Sequence, residues 1–132
     1  MSTIIATTLS NGSVSVPTAT VVNGSAKAWV NFNGSGTPAV SGSFNVSSIT
    51  DRAAGKYAVV FTSSFANANH SSSGNGKKDN TTDDGNVHVQ IGGATDYTTL
   101  ATEIRLAVGR LTQTFDGVDS PAIQASTHGD LA

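Results

Sequence analysis

The 132-residue chain reads as an all-β protein, an antiparallel β-sandwich of jelly-roll-like type with long loops and an extended N-terminal arm. Three observations point there. Apolar residues alternate with period two: in Lys27-Ala28-Trp29-Val30-Asn31-Phe32, Ala28, Val30 and Phe32 share one face of an extended chain while Trp29 and Asn31 share the other. Turn signals separate such runs, with Asn-Gly-Ser recurring at Asn11, Asn23 and Asn33, and an Asn-Gly pair is the strongest short hairpin signal. Only 12% of residues carry charge, and Ser, Thr, Asn and Gly replace them, so the surface is polar but weakly charged. Roughly seven to nine short strands are expected. They belong to one domain, because a chain this long suits one core and would starve two.

Taken in order, residues 1–25 contain no aromatic side chain. Residues 1–9 mix Ile4, Ile5 and Leu9 with threonines, and β-branched residues favour extended chain over helix. Asn11-Gly12-Ser13 is a turn, Val14 and Val16 alternate with serines, Pro17 interrupts, and residues 19–22 resume the extended chain. The segment is expected either as edge strands or as an arm that lies on a neighbour, with the sandwich domain spanning 26–132. Residues 26–62 read as a three-strand β-meander. The first strand ends at the turn-prone Asn33-Gly34-Ser35-Gly36-Thr37-Pro38. Residues 39–49 bring Phe44, Val46 and Ile49, and after a break at 50–55 Tyr57, Val59 and Phe61 share a face opposite Ala58, Val60 and Thr62. Residues 63–85 read as a long exposed loop, and a loop of that length inside a compact domain commonly forms a contact surface. Val87, Val89 and Ile91 then point inward, with His88 and Gln90 outward, until Gly92-Gly93 ends the strand. Residues 100–111 fit a helix face through Leu100, Ile104 and Val108 and a strand through Ile104, Leu106 and Val108; their neighbours favour the strand. Asp116-Gly117 is a turn, residues 121–126 a weakly apolar last strand, and 127–132 a tail.

Composition narrows the chemistry. A net charge of −2 offers no basic stripe, so nucleic acid is not an expected partner. The absence of cysteine removes disulfides, thiolate metal sites and a cysteine nucleophile. Neither a secretion signal nor an apolar run of the ~20 residues a membrane helix needs is present, so no membrane insertion is expected. His70, His88 and His128 fall in a loop, on a strand's outer face and in the tail, and match no metal or catalytic spacing. A histidine cluster across a trimer axis is the alternative. Asp79, Asp83 and Asp84 with Asn80 and Asn86 supply hard oxygens, yet they miss the register of a calcium loop and stand beside Lys77 and Lys78. There is no Gly-x-Ser-x-Gly elbow and no phosphate-cradling glycine loop. No catalytic residue, metal or cofactor is expected. Trp29, Tyr57 and Tyr97 read as packing residues, in the core or against a sister subunit, or, if exposed, as a platform on which sugars stack.

The run Ala26-Lys27-Ala28-Trp29-Val30-Asn31-Phe32-Asn33-Gly34, followed by Ser43-Phe44-Asn45-Val46-Ser47-Ser48-Ile49-Thr50-Asp51, resembles a module of tailed-phage virion proteins of tail-fibre type, many from marine and cyanobacterial phages. Residues 57–62 and Ala66-Asn67-Ala68-Asn69 continue the similarity, and Gly129-Asp130-Leu131 resembles the way such chains end. The resemblance implies a non-enzymatic β module on the virion exterior, assembled in the host bacterial cytoplasm as a homotrimer and contacting other virion proteins of the capsid or tail. Two departures stand out. Pro38 falls where the pattern continues a strand, and the last strand, with Gln124, Ser126 and Thr127, is more polar than the pattern's apolar finish, leaving its edge pairing open. The chain also lacks a heptad repeat or repeated shaft. This adds a second expectation, a capsid decoration (cement) protein whose arm clasps a neighbour, and a third, a receptor module for host surface glycan. A depolymerase is the weakest reading. The expected packing or interface residues are Trp29, Phe32, Phe44, Tyr57 and Phe61; the expected contact loop presents His70, Asn75, Lys77, Lys78, Asp83 and Asp84.

Overall fold

The computed structural model describes residues 2–77, 87–92, 100–111 and 115–132. Their elements run β1 (Thr8–Ser10), β2 (Ser15–Pro17), α1 (Thr18–Gly24), β3 (Ala28–Asn33), β4 (Ala39–Phe44), β5 (Val46–Ala53), β6 (Lys56–Phe61), β7 (Ser71–Lys77), β8 (Val87–Ile91), β9 (Glu103–Leu111), β10 (Phe115–Gly117) and β11 (Ala122–His128). Two antiparallel sheets pack together into an all-β sandwich. One sheet has the order β4-β3-β11-β7. The other is built on β9, which pairs with β8 through residues 106–110 and with β6 through 103–107. Those registers overlap, so β8 and β6 occupy opposite edges of β9. The short β10 pairs with residues 109–111 beyond the end of β6, and β5 closes the sheet outside β6.

The core is where the alternating faces meet. Ala28, Val30 and Phe32 of β3, Tyr57, Val59 and Phe61 of β6, Ile104, Leu106 and Val108 of β9, and Ile123 and Ala125 of β11 are all buried, with Val46, Ile49, Val89 and Ile91 packed against them. Phe32 and Tyr57 meet edge to face at 5.2 Å across the two sheets. The strand reading of 100–111 holds, and so do the inward triplets of β3, β6 and β9.

The expected meander is instead two hairpins in two sheets. β3 pairs with β4 and β5 with β6, but β4 and β5 do not pair. Between them Asn45 adopts φ 55°, the left-handed region that asparagine tolerates better than most residues. Its side chain accepts from Ser63 N (2.7 Å) and donates to the Ser63 carbonyl (3.0 Å), so one residue turns the chain out of one sheet and fastens it to the end of β6. The predicted break at 50–55 shrinks to Ala54-Gly55, because β5 continues to Ala53. Gly55 has φ +65°, and a Cβ there would stand 2.1 Å from the Val108 carbonyl oxygen, so neither conformation nor space admits a side chain.

Four further expectations are corrected. Residues 19–22 lie in α1, where Pro17 closes the β2 ladder and Lys27 Nζ donates to the Val22 carbonyl at the helix end. The 63–85 loop contains β7, all seven residues of which pair with β11. Asp116-Gly117 belongs to β10 rather than to a turn. The last strand runs on to His128 and is central, flanked by β3 and β7, so Thr127 and His128 are not tail residues. A polar strand is stable there because its inward positions, Ile123, Ala125 and Thr127, are buried and the Thr127 hydroxyl is paired with Ser72 Oγ at 2.9 Å.

Residues 2–25 differ from the rest. The β1–β2 hairpin turns through Asn11, whose side-chain oxygen accepts from Ser13 N and Val14 N, and α1 has no buried residue. Ile4 and Ile5 are over 90% exposed, and Leu9, Val14, Val16, Val21 and Val22 are exposed with them.

Candidate functional site

The two outer faces of the sandwich have opposite character. Outside β6 and β9, Glu103 holds Arg105 at 2.9 Å, with Arg52 at 4.0 Å. Outside β3, β11 and β7 lies an open groove of ≈ 500 Å³ whose lining contains no ionisable side chain.

Strand register builds this groove. Trp29 lies opposite Ser126 on β11, which lies opposite Ser73 on β7; the next row is Asn31, Gln124 and Asn75. On the other side Trp29 faces Phe44 and Asn31 faces Gly42 of β4. The indole spans toward β4, with its six-membered ring above Gly42, where a Cβ would sit 3.5 Å from it. The ring therefore lies along the sheet and remains 44% exposed, and Phe44 is 53% exposed beside it. Ser73 and Ser126 are joined through their hydroxyls at 3.3 Å. The amides of Asn31, Asn75 and Gln124 make no side-chain hydrogen bond among the described residues.

The predicted packing residues thus divide. Phe32, Tyr57 and Phe61 are core residues, whereas Trp29 is not in the core and Phe44 stands outside it on the same outer face. Tyr57 is wholly buried, which removes it from any sugar platform, and its hydroxyl donates within a network of Asp119 Oδ1 (2.8 Å) and the Gly34 carbonyl (2.9 Å). Burial, reinforced by the Asp119 hydrogen bond and the charges of Asp119 and Asp51, pushes its phenol well above the ordinary tyrosine value. Tyr97 lies outside the described residues.

Of the predicted contact-loop residues, Asn75 and Lys77 are exposed on β7. His70 is half-buried just before β7. Its ring packs 4.9 Å from Phe65, its Nε2 meets the Leu100 carbonyl at 3.0 Å and its Nδ1 meets Ser72 Oγ at 3.3 Å. Lys78, Asp83 and Asp84, with the other oxygen donors Asp79, Asn80 and Asn86, lie outside the described residues. His88 is exposed on β8, and His128 is half-buried on β11. Among the described residues no three His, Asp or Glu gather as metal ligands.

Sequence reasoning missed Gln124, Ser126 and Ser73 as parts of this face. The signal for the first two was present in their alternation with Ile123 and Ala125; Ser73 had none, because β7 contains no apolar residue. Comparison with protein-family models, curated proteins and solved structures returns no match for this chain.

Proposed function

We propose that this chain is a non-enzymatic structural module on the exterior of a tailed-phage virion, that it acts as a homotrimer, and that residues 2–25 dock it onto neighbouring subunits. One observation carries the reading: the sandwich closes its own core, while the N-terminal segment displays Ile4, Ile5, Val14 and Val22 to solvent with none of its residues buried. A helix of seven residues is too short to hold by propensity alone, and apolar side chains of that exposure gain stability only by burial against something else. The weak charge agrees, since large subunit interfaces deplete charge at their centres. The likeness of the 26–51 stretch to tail-fibre-type modules supplies the virion setting. The same arm serves a decoration protein clasping capsid subunits, and stoichiometry separates the two placements.

Quantitative mass spectrometry of purified virions tests the reading. A handful of copies per particle identifies a fibre or spike module, and near-equality with the capsid subunit identifies a cement protein. Absence from the particle overturns the virion reading. Sedimentation tests the arm: the full chain is expected as a trimer and residues 26–132 as a folded monomer, and a trimer that survives removal of the arm refutes its docking role.

A further inference from the structure

We infer that the outer face of the β4-β3-β11-β7 sheet is a binding site for a neutral oligosaccharide, with the Trp29 indole as its stacking surface and the amides of Asn31, Gln124 and Asn75 as its hydrogen-bonding row. The chemistry of the face disfavours two other ligand classes, the ionic and the purely apolar. No residue lining the groove ionises, so a charged ligand meets no counter-charge within it, Lys77 of β7 and His128 of β11 standing on the same face beyond its two ends. A purely apolar partner would cover the three amides and leave them unpaired, at a cost of about 1–3 kcal/mol for each buried polar group. A neutral polyhydroxylated ligand satisfies both conditions. Its hydroxyls donate to and accept from amides, each of which offers two N–H donors and a carbonyl acceptor, and the C–H face of a pyranose ring rests on an aromatic plane.

Geometry supports the same occupant. Asn31, Gln124 and Asn75 sit in register on three adjacent strands, so their amides recur at the sheet spacing of about 4.8 Å and form a ladder across the groove. Trp29 borders the groove at the β3 side, one row along, with its ring lying down over Gly42 so that the aromatic surface extends the floor of the groove toward β4. The groove volume of ≈ 500 Å³ falls within the range of small-ligand sites. Trp29 is also the only tryptophan in the chain, so its emission reports this face and nothing else.

The test titrates the intact protein with maltohexaose, cellohexaose, laminarihexaose, mannohexaose and chitohexaose, read by Trp29 fluorescence and by calorimetry. At least one is expected to give a saturable change in emission. Gln124→Ala and Asn75→Ala each weaken that binding about tenfold, and Trp29→Ala abolishes the heat of binding, while all three variants keep the wild-type melting temperature. No response from any of the five up to about 10 mM overturns the inference. So does a hexasaccharide that binds Trp29→Ala as well as wild type, or emission that responds only to protein concentration, which would assign the face to contact between copies. The inference does not depend on the virion reading: particle stoichiometry and sugar titration fail separately.

Discussion

Replacing Tyr57 by Phe removes one oxygen where the core meets the loops at one end of the sandwich and leaves the ring, with its edge-to-face contact on Phe32, in place. That oxygen donates within a cluster that joins three loops. Asp119 Oδ1 receives the Tyr57 hydroxyl at 2.8 Å and Gly55 N at 2.9 Å, while the Gly34 carbonyl lies 2.9 Å from the same hydroxyl. A hydrogen bond to a charged acceptor contributes about 1.5–3 kcal/mol, and the single phenol proton serves one acceptor at a time, so Tyr57→Phe costs roughly 2–3 kcal/mol. For a chain of this length that lowers the melting temperature by roughly 8–15 °C. The pH dependence gives an independent check. The folded-state phenol is held above its ordinary value, so its contribution is complete below the unfolded pKa of about 10 and declines as pH rises beyond it. Above that point the unfolded chain releases a proton that the folded chain keeps, and stability falls by about 1.4 kcal/mol per pH unit. Urea melts of wild type and variant at pH 8, 9, 10 and 11.5 should therefore show a gap that is constant up to pH 9 and smaller at pH 11.5. A gap under about 1 kcal/mol at pH 8, or one that does not narrow, would refute this account of the cluster.

Other substitutions separate structure from surface. Phe32→Ala should cost about 3–5 kcal/mol as a core truncation, whereas Trp29→Ala should change the unfolding free energy read from urea melts by less than about 1 kcal/mol, because the indole is already half in water. Equal losses would return Trp29 to the core. Asn45→Ala should destabilise by roughly 2–3 kcal/mol, from two lost hydrogen bonds to Ser63 and a left-handed backbone that alanine resists, with Asn45→Gly recovering part of it; thermal melts check the order of the three proteins. Gly55→Ala should prevent soluble expression or lower the melting temperature more than any of these, since its methyl would collide with the Val108 carbonyl and the Val118 backbone. A Gly55→Ala protein that melts like wild type would mean the β5–β6 turn is set differently.

Much of the core was legible in the sequence because alternation is a local property. Ala28, Val30 and Phe32, or Tyr57, Val59 and Phe61, declare a shared face within six residues, and burial followed for both triplets. What was not legible depends on other parts of the chain. Nothing in Ser-Ser-Ser-Gly-Asn-Gly-Lys announces a strand, and β7 exists because β11 offers it a full ladder. Residues 39–49 read as one strand, yet the left-handed turn at Asn45 sends the halves to different sheets. Trp29 was marked at once as the outstanding residue, but whether its face of β3 was core or surface depended on which sheet covered it.

The candidate site follows from the same distinction. Alternation told which side of β3 Trp29 and Asn31 occupy, but a binding face requires neighbours, and Gln124 and Asn75 come from strands far away in the chain. β7 shows why its sequence is so bland. At Gly74 a Cβ would press 2.9 Å from Val89 of β8, so that position must be small for the edge strand to close against the other sheet, and Ser72 is tied to Thr127 and His70. Positions 73 and 75 point the other way, into the groove. One strand therefore carries two independent constraints on alternate residues: 72 and 74 answer to packing, while 73 and 75 are free to answer to whatever the groove holds. Substitutions at 73 and 75 leave the core untouched, so these two positions on the outer face of the sheet are free to vary.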